Sequence, residues 1–155
     1  MKLFLLLAFV CLASAAFEKN STRTWRDLPG IENVFDPQSA ECSAVAALRA
    51  AGFASHLPQM VCASYYESSW NCGAVGAPNR DGSRDYGLMQ VNSVWWCTGG
   101  PTPSHNGCGG TCQSMLNCNT NAKCALKVFN QQGLKAWYGY QNHASTCDHY
   151  SISGC

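Results

Sequence analysis

Ten cysteines spread from Cys42 to Cys155 constrain this chain more than any other feature. An eleventh, Cys11, lies in a stretch that reads as a secretory signal. Lys2 is followed by the apolar run LFLLLAFVCLA, and Ala13-Ser14-Ala15 supplies a small-residue cleavage site. That run is too short to span a bilayer comfortably, and no second candidate follows, so no membrane association is expected. Residues 1–15 are therefore expected to be removed, and the product to be secreted or held in the lumen of a lysosomal or digestive vesicle. An even number of cysteines in a small exported chain signals a disulfide framework. No CxxC pair occurs and the four histidines are scattered, which argues against a zinc site. The remaining length suits one domain whose modest core needs covalent help.

Loss of Lys2 with the signal leaves nine basic against nine acidic side chains. Without a net field, long-range steering is weak and a nucleic-acid partner is not expected. Residues 16–37 are polar, broken by Pro29-Gly30, and carry the only sequon, Asn20-Ser21-Thr22. They read as an N-terminal extension or pro-segment ahead of a domain at 38–155.

Within the domain, Asp36-Pro37 has the form of a helix cap and first turn. An apolar stripe at Cys42, Val45, Ala46 and Leu48 follows, and Gly52 is the stop. A second helix is predicted from about Pro58, with Cys62 and Tyr66 turned inward and Glu67 near its end. Arg80-Asp81-Gly82-Ser83 reads as a hairpin turn. Asp85 to Asn92 alternates as a strand, with Tyr86, Leu88 and Gln90 on one face. A Gly/Pro loop spans 98–112. Asn119 or Thr120 caps a third helix with a stripe of Ala122, Leu126 and Phe129, ended by Gly133. Leu134 to Tyr140 is an aromatic cluster with one short helical turn. Helices with one small antiparallel sheet make an α+β domain.

Two acids stand out by their contrasting neighbourhoods. Glu67 ends an apolar and aromatic run, whereas Asp85 follows a Gly-containing turn among polar residues. A carboxyl among apolar groups tends to stay protonated, and one among polar groups to stay ionised. Such a pair can divide the roles of acid and nucleophile in glycoside cleavage. Taken singly, Glu67 would be a solvated surface acid and Asp85 a turn residue capping its own backbone. Only their surroundings raise them above that.

Those surroundings resemble the c-type (animal) lysozymes of the lysozyme/α-lactalbumin family. Cys62, Ala63, Glu67 and Ser68 match the family's Cys-Ala-x-x-x-Glu-Ser. Asn79, Asp81, Gly82, Ser83, Asp85, Tyr86, Gly87, Gln90, Asn92, Ser93 and Trp95-Trp96-Cys97 follow its strand motif. A single extra residue near 73–77 is the one departure, which a loop absorbs. The resemblance implies a helical lobe and a small antiparallel β-sheet lobe with a cleft between them, stapled by disulfides. It implies Glu67 as general acid and Asp85 as nucleophile. Asn79, Gln90, Asn92, Trp95, Trp96 and Trp137 would bind substrate, with Trp137 packed against the acid. Tyr140 stands where the family usually carries a second tryptophan. On a strand, Trp95 and Trp96 would point to opposite faces, so at most one would face the cleft.

By the same resemblance the bridges are Cys42–Cys155, Cys62–Cys147, Cys97–Cys112 and Cys108–Cys124. That leaves Cys72 and Cys118 without family counterparts. Two free thiols are a liability in an exported protein, so they are expected to pair as a fifth bridge. The implied activity is that of a secreted, monomeric retaining hydrolase needing no cofactor. Its partners would be bacterial peptidoglycan or N-acetylglucosamine oligomers. The alternative is a non-catalytic glycan-binding or regulatory protein on the same scaffold, against which the presence of both acids argues. Residues 113–123 contain no Asp or Glu, so no calcium site is expected there. Deletion of residues 16–37 should leave lytic activity largely intact. A deletion variant that fails to fold would show that the segment packs on the domain.

Overall fold

Proline and a polar cap open the first helix where the sequence places them. In the computed structural model, which describes residues 36–155, Asp36 accepts the Gln38 N–H at 3.1 Å and Pro37 begins α1 (Pro37–Ala51). Gly52 closes it in the left-handed region at φ 115°. The signal at 1–15, the sequon at Asn20 and the remainder up to residue 35 lie outside the described residues. Because Asp36 is the cap, a deletion through residue 37 would also cost α1 about 1 kcal/mol. Deletion through 35 is the cleaner truncation.

Ala44, Val45, Ala47 and Leu48 form the buried face of α1. Ala46, expected in that stripe, is exposed, since at 100° per residue it falls opposite the middle of the face made by those four residues. α2 (Leu57–Ser68) packs Met60, Val61 and Ala63 into the same core. α3 (Cys118–Gln132) adds Ala122, Ala125 and Val128. Its cap is Asn117, whose side chain accepts the Thr120 N–H at 3.1 Å, rather than Asn119 or Thr120.

After a 3-10 turn at Leu134–Ala136, α4 (Tyr138–Cys147) lies against α2. The short helical turn expected within Leu134 to Tyr140 is that 3-10 turn, whereas the helix that follows it was not foreseen. α4 buries little besides Gly139 and Cys147 and is kinked at His143 (φ −129°), so it carries no regular apolar stripe.

The predicted strand from Asp85 to Asn92 is instead a hairpin. β1 (Asp85–Tyr86) and β2 (Val91–Asn92) pair antiparallel with Asp85 opposite Asn92, and Val75 bridges the far side of Tyr86. The chain reverses between Gly87 (φ 75°) and Gln90 (φ 43°). The consequence is that Leu88 and Met89, neighbours that a strand would place on opposite faces, are both fully buried. Gly87 is required there: a Cβ would run into the Met115 carbonyl and the Asn121 amide. The turn expected at Arg80–Ser83 is present, with Asn79 N–H donating to Ser83 O at 2.8 Å. β3 (Cys97–Thr98) and β4 (Gly110–Thr111) form a second, parallel pair. Four helices and two small strand pairs make an α+β domain.

Bridges join Cys42 to Cys155, Cys62 to Cys147, Cys97 to Cys112, Cys108 to Cys124 and Cys72 to Cys118. The last of these has its Cα atoms 5.0 Å apart. It ties the segment beyond α2 to the start of α3.

A buried amide joins the hairpin to the helices. Asn121 on α3 is fully buried. Its Oδ1 accepts the Met89 N–H at 2.8 Å, and its Nδ2 donates to Tyr86 O at 2.8 Å and to Met115 O at 3.0 Å. Asn121→Ala would leave all three backbone groups without that partner and should cost roughly 3 kcal/mol or more in urea denaturation. A loss within about 0.5 kcal/mol of zero would show that the hairpin finds its place without this tie.

Candidate active site

A cleft of about 920 Å³ separates a helical wall from a sheet wall. Glu67, in the last turn of α2, faces it together with Val128, Trp137 and Tyr138. Asn79, Asp85, Gln90, Asn92, Trp95 and Trp96 line the other side. Every site residue predicted from sequence therefore borders one cavity.

The Glu67 carboxyl is largely withdrawn from water, and that burial is the main cause raising its pKa above the ordinary 4.5. The Gly139 N–H, donating to Oε1 at 2.7 Å, works in the opposite direction. The negative charge of Asp85 across the cleft adds to the upward shift. Gly139 is a glycine for a reason: a Cβ would stand 2.8 Å from Ala63 O and 3.0 Å from Glu67 Oε1. Its absence lets the first turn of α4 reach the acid. Sequence reasoning missed this residue. Trp137 is 4% exposed and its indole N–H donates to Met89 O at 2.9 Å. With that N–H taken, Trp137 offers the cleft only an apolar ring surface.

Asp85 sits in different company. Asn79 Nδ2 donates to Oδ2 at 3.0 Å and Asn92 Nδ2 donates to Oδ1 at 2.8 Å. Both amides also reach Ser83 Oγ, at 3.0 Å each. Asn92 Oδ1 accepts the Val94 N–H at 2.9 Å, which fixes which end of the amide faces the acid. The pairing of Asp85 with Asn92 in the hairpin register brings these side chains together. Gln90 borders the cleft, but its Nε2 braces the hairpin by donating to Gly87 O at 2.9 Å.

Trp95 and Trp96 face the same cleft, contrary to the expectation that only one would. Residues 93–96 form a turn rather than a strand, so side-chain alternation does not apply. Trp95 is 56% exposed, whereas Trp96 is half-buried between the two core clusters. His105, which nothing in its Gly/Pro-rich loop marked out, also lines the cleft, with its ring stacked on Trp95. Tyr140 lies away from it and donates its hydroxyl to Asp148 at 2.9 Å. The exposed cleft aromatic of that segment is Tyr138. Tyr66, expected inside, is 39% exposed and stacks on His143 of α4.

The arrangement suits proton donation from one wall and charge stabilisation from the other. It also has a thermodynamic signature. A raised carboxyl pKa means that the native state keeps a proton the unfolded chain has already lost. Folding stability contributed by Glu67 is therefore complete below about pH 4.5 and falls as pH rises through the native value. Glu67→Gln should match the parent in melting temperature near pH 3 and exceed it near pH 7. Equal melting temperatures at both pH values would mean the carboxyl is not destabilised by its site.

A family model described as the C-type lysozyme/alpha-lactalbumin family matches residues 38–155. The protein named Lysozyme X of Drosophila melanogaster is 44% identical over 84 residues, covering 52% of this chain and 59% of that relative. The chain thus spans little over half the length of that relative. A Galleria mellonella protein named Lysozyme is 38% identical over 117 residues, 74% of this chain and 96% of its own length. Among solved structures, recombinant wild-type canine milk lysozyme in its apo-type form superposes with a TM-score of 0.63 at 30% identity. It covers 74% of this chain and 91% of that one.

Proposed function

Because the chain belongs to the C-type lysozyme/alpha-lactalbumin family and is a glycoside hydrolase of the lysozyme type, we propose that it cleaves bacterial peptidoglycan. The bond cut is the β-1,4 link between N-acetylmuramic acid and N-acetylglucosamine, with retention at the anomeric carbon. Lysozymes are the type case for such a carboxylate pair, so the roles come from the family. The observation that supports them in this chain is the contrast across the cleft: Glu67 with its proton affinity raised by burial, Asp85 held by two amide donors.

In this mechanism neutral Glu67 protonates the bridging oxygen as the glycosidic bond breaks, which a carboxylate cannot do. The Asp85 carboxylate attacks the oxocarbenium-like carbon from the opposite face of the sugar ring. Asn79 and Asn92 keep its oxygens aimed through that step. Glu67, now ionised, takes a proton from water, and the resulting attack releases the sugar and restores both groups. The indoles of Trp95 and Trp96 meet the apolar faces of the sugars, and Gln90 keeps the hairpin wall in shape.

The protein works as a secreted monomer, or in the lumen of a vesicle, in bacteriolysis for defence or digestion. Its balanced charge favours digestion or work at moderate salt. No helix among the described residues is long and apolar enough to cross a membrane.

Glu67→Gln should reduce clearing of bacterial walls by roughly two decades or more while preserving oligosaccharide binding. Asp85→Asn should be severe but less so. Retention of more than a few per cent of lysis by purified Glu67→Gln would misassign the acid. The parent's activity should follow a bell in pH whose alkaline limb lies above 4.5, since the working form of Glu67 is the protonated one. NMR of the first-formed product should show the β-anomer. Parallel assays on walls and on chitin oligomers identify the preferred polymer.

A further inference from the structure

An indole exposed on a turn keeps its side-chain rotations when free and loses them when a ligand covers it, which weakens binding. Trp95 is placed to suffer that loss, at 56% exposure on the wall of the cleft. It is nonetheless restrained. The His105 ring lies against one of its faces, with ring centroids 4.8 Å apart and planes 10° from parallel.

His105 is itself held. Its backbone N–H donates to Val94 O at 2.7 Å, the Gly107 backbone N–H to Trp95 O at 2.8 Å, and the Cys108 backbone N–H to Trp96 O at 2.9 Å. Gly107 is packed so tightly on Trp96 that a Cβ would stand 2.7 Å from its ring. Cys97–Cys112 and Cys108–Cys124 anchor both sides of the loop. The loop therefore runs as a rigid rail beside the tryptophan turn and delivers one imidazole to one indole face.

We propose that His105 is a positioning residue for substrate binding, its ring fixing the Trp95 indole as a platform whose other face receives the apolar side of a sugar unit. The proposal rests on the reading that the cleft takes a glycan. What His105 supplies is ring surface rather than charge or a hydrogen bond, so an aromatic replacement should serve and a polar one should not.

Calorimetric titration of the full mature protein with the N-acetylglucosamine trimer tests this. His105→Ala should raise Kd about threefold to tenfold, the worth of one aromatic pair. His105→Phe should restore it and His105→Gln should not. In a Trp95→Ala background, His105→Ala should have no further effect. On bacterial walls the half-saturating substrate concentration should rise by a similar factor while kcat stays within about twofold, a split that general destabilisation would not give. An unchanged Kd in His105→Ala, rescue by Gln, or an equal loss without Trp95 would each overturn the proposal, the last by making His105 a direct ligand contact. Failure of the parent to bind the oligosaccharide at all would instead remove the glycan reading, and this inference with it.

Discussion

A carboxamide sealed from water must find partners for its oxygen and both its hydrogens, or destabilise the fold that encloses it. Asn121 meets that demand entirely with backbone groups, on Met89, Tyr86 and Met115. Because backbone partners cannot swing away as side chains do, the amide sets where the hairpin stands relative to α3. The consequences run outward in two directions. Tyr86 immediately follows Asp85, so the sheet-side acid inherits its depth in the cleft from this tie. Met89 turns its carbonyl to the Trp137 indole, and Gly139, two residues beyond Trp137, holds the other acid. One buried side chain thus fixes both walls through short chains of hydrogen bonds.

The two walls then impose opposite electrostatics with ordinary materials. On the helical side, apolar neighbours and limited water favour the uncharged acid. The end of α2 adds to this, since the negative end of a helix dipole disfavours a second negative charge in its last turn. On the sheet side, two amides anchored on the fully buried Ser83 present their N–H groups outward. A fold with a helical lobe and a sheet lobe separates such settings without any exotic group.

How much of this was legible depends on whether the signal was local. Capping at Asp36, the stop at Gly52 and the turn at Arg80–Ser83 are local, and the sequence carried them. The residues around Asp85 were recognisable because their identities, not their spacing, recur in a known family. The hairpin at Asp85–Asn92 was misread as a strand because two-residue strands leave too little alternation to separate from a turn. Gly87 was the clue, as a glycine amid an otherwise regular pattern. α4 escaped because it is held by a bridge from Cys62 to Cys147 and by close approach at Gly139, neither of which leaves periodicity. Asn121 looked like one more polar residue in a polar segment. Its burial is a property of the assembled fold, as is the meeting of Trp95 with a histidine ten residues away.

Most hairpins keep their open ends in the protein and present their tips to solvent. Here the arrangement is inverted. The tip, with Leu88 and Met89, is plugged into the core, and the open end carries Asp85 and Asn92 to the cleft. A tip locked in place this way acts as the fulcrum of a short lever, so whatever shifts the core beneath Met89 tilts the sheet-side acid directly. Tuning of this enzyme is therefore open to substitutions deep beneath the cleft, at positions no substrate touches.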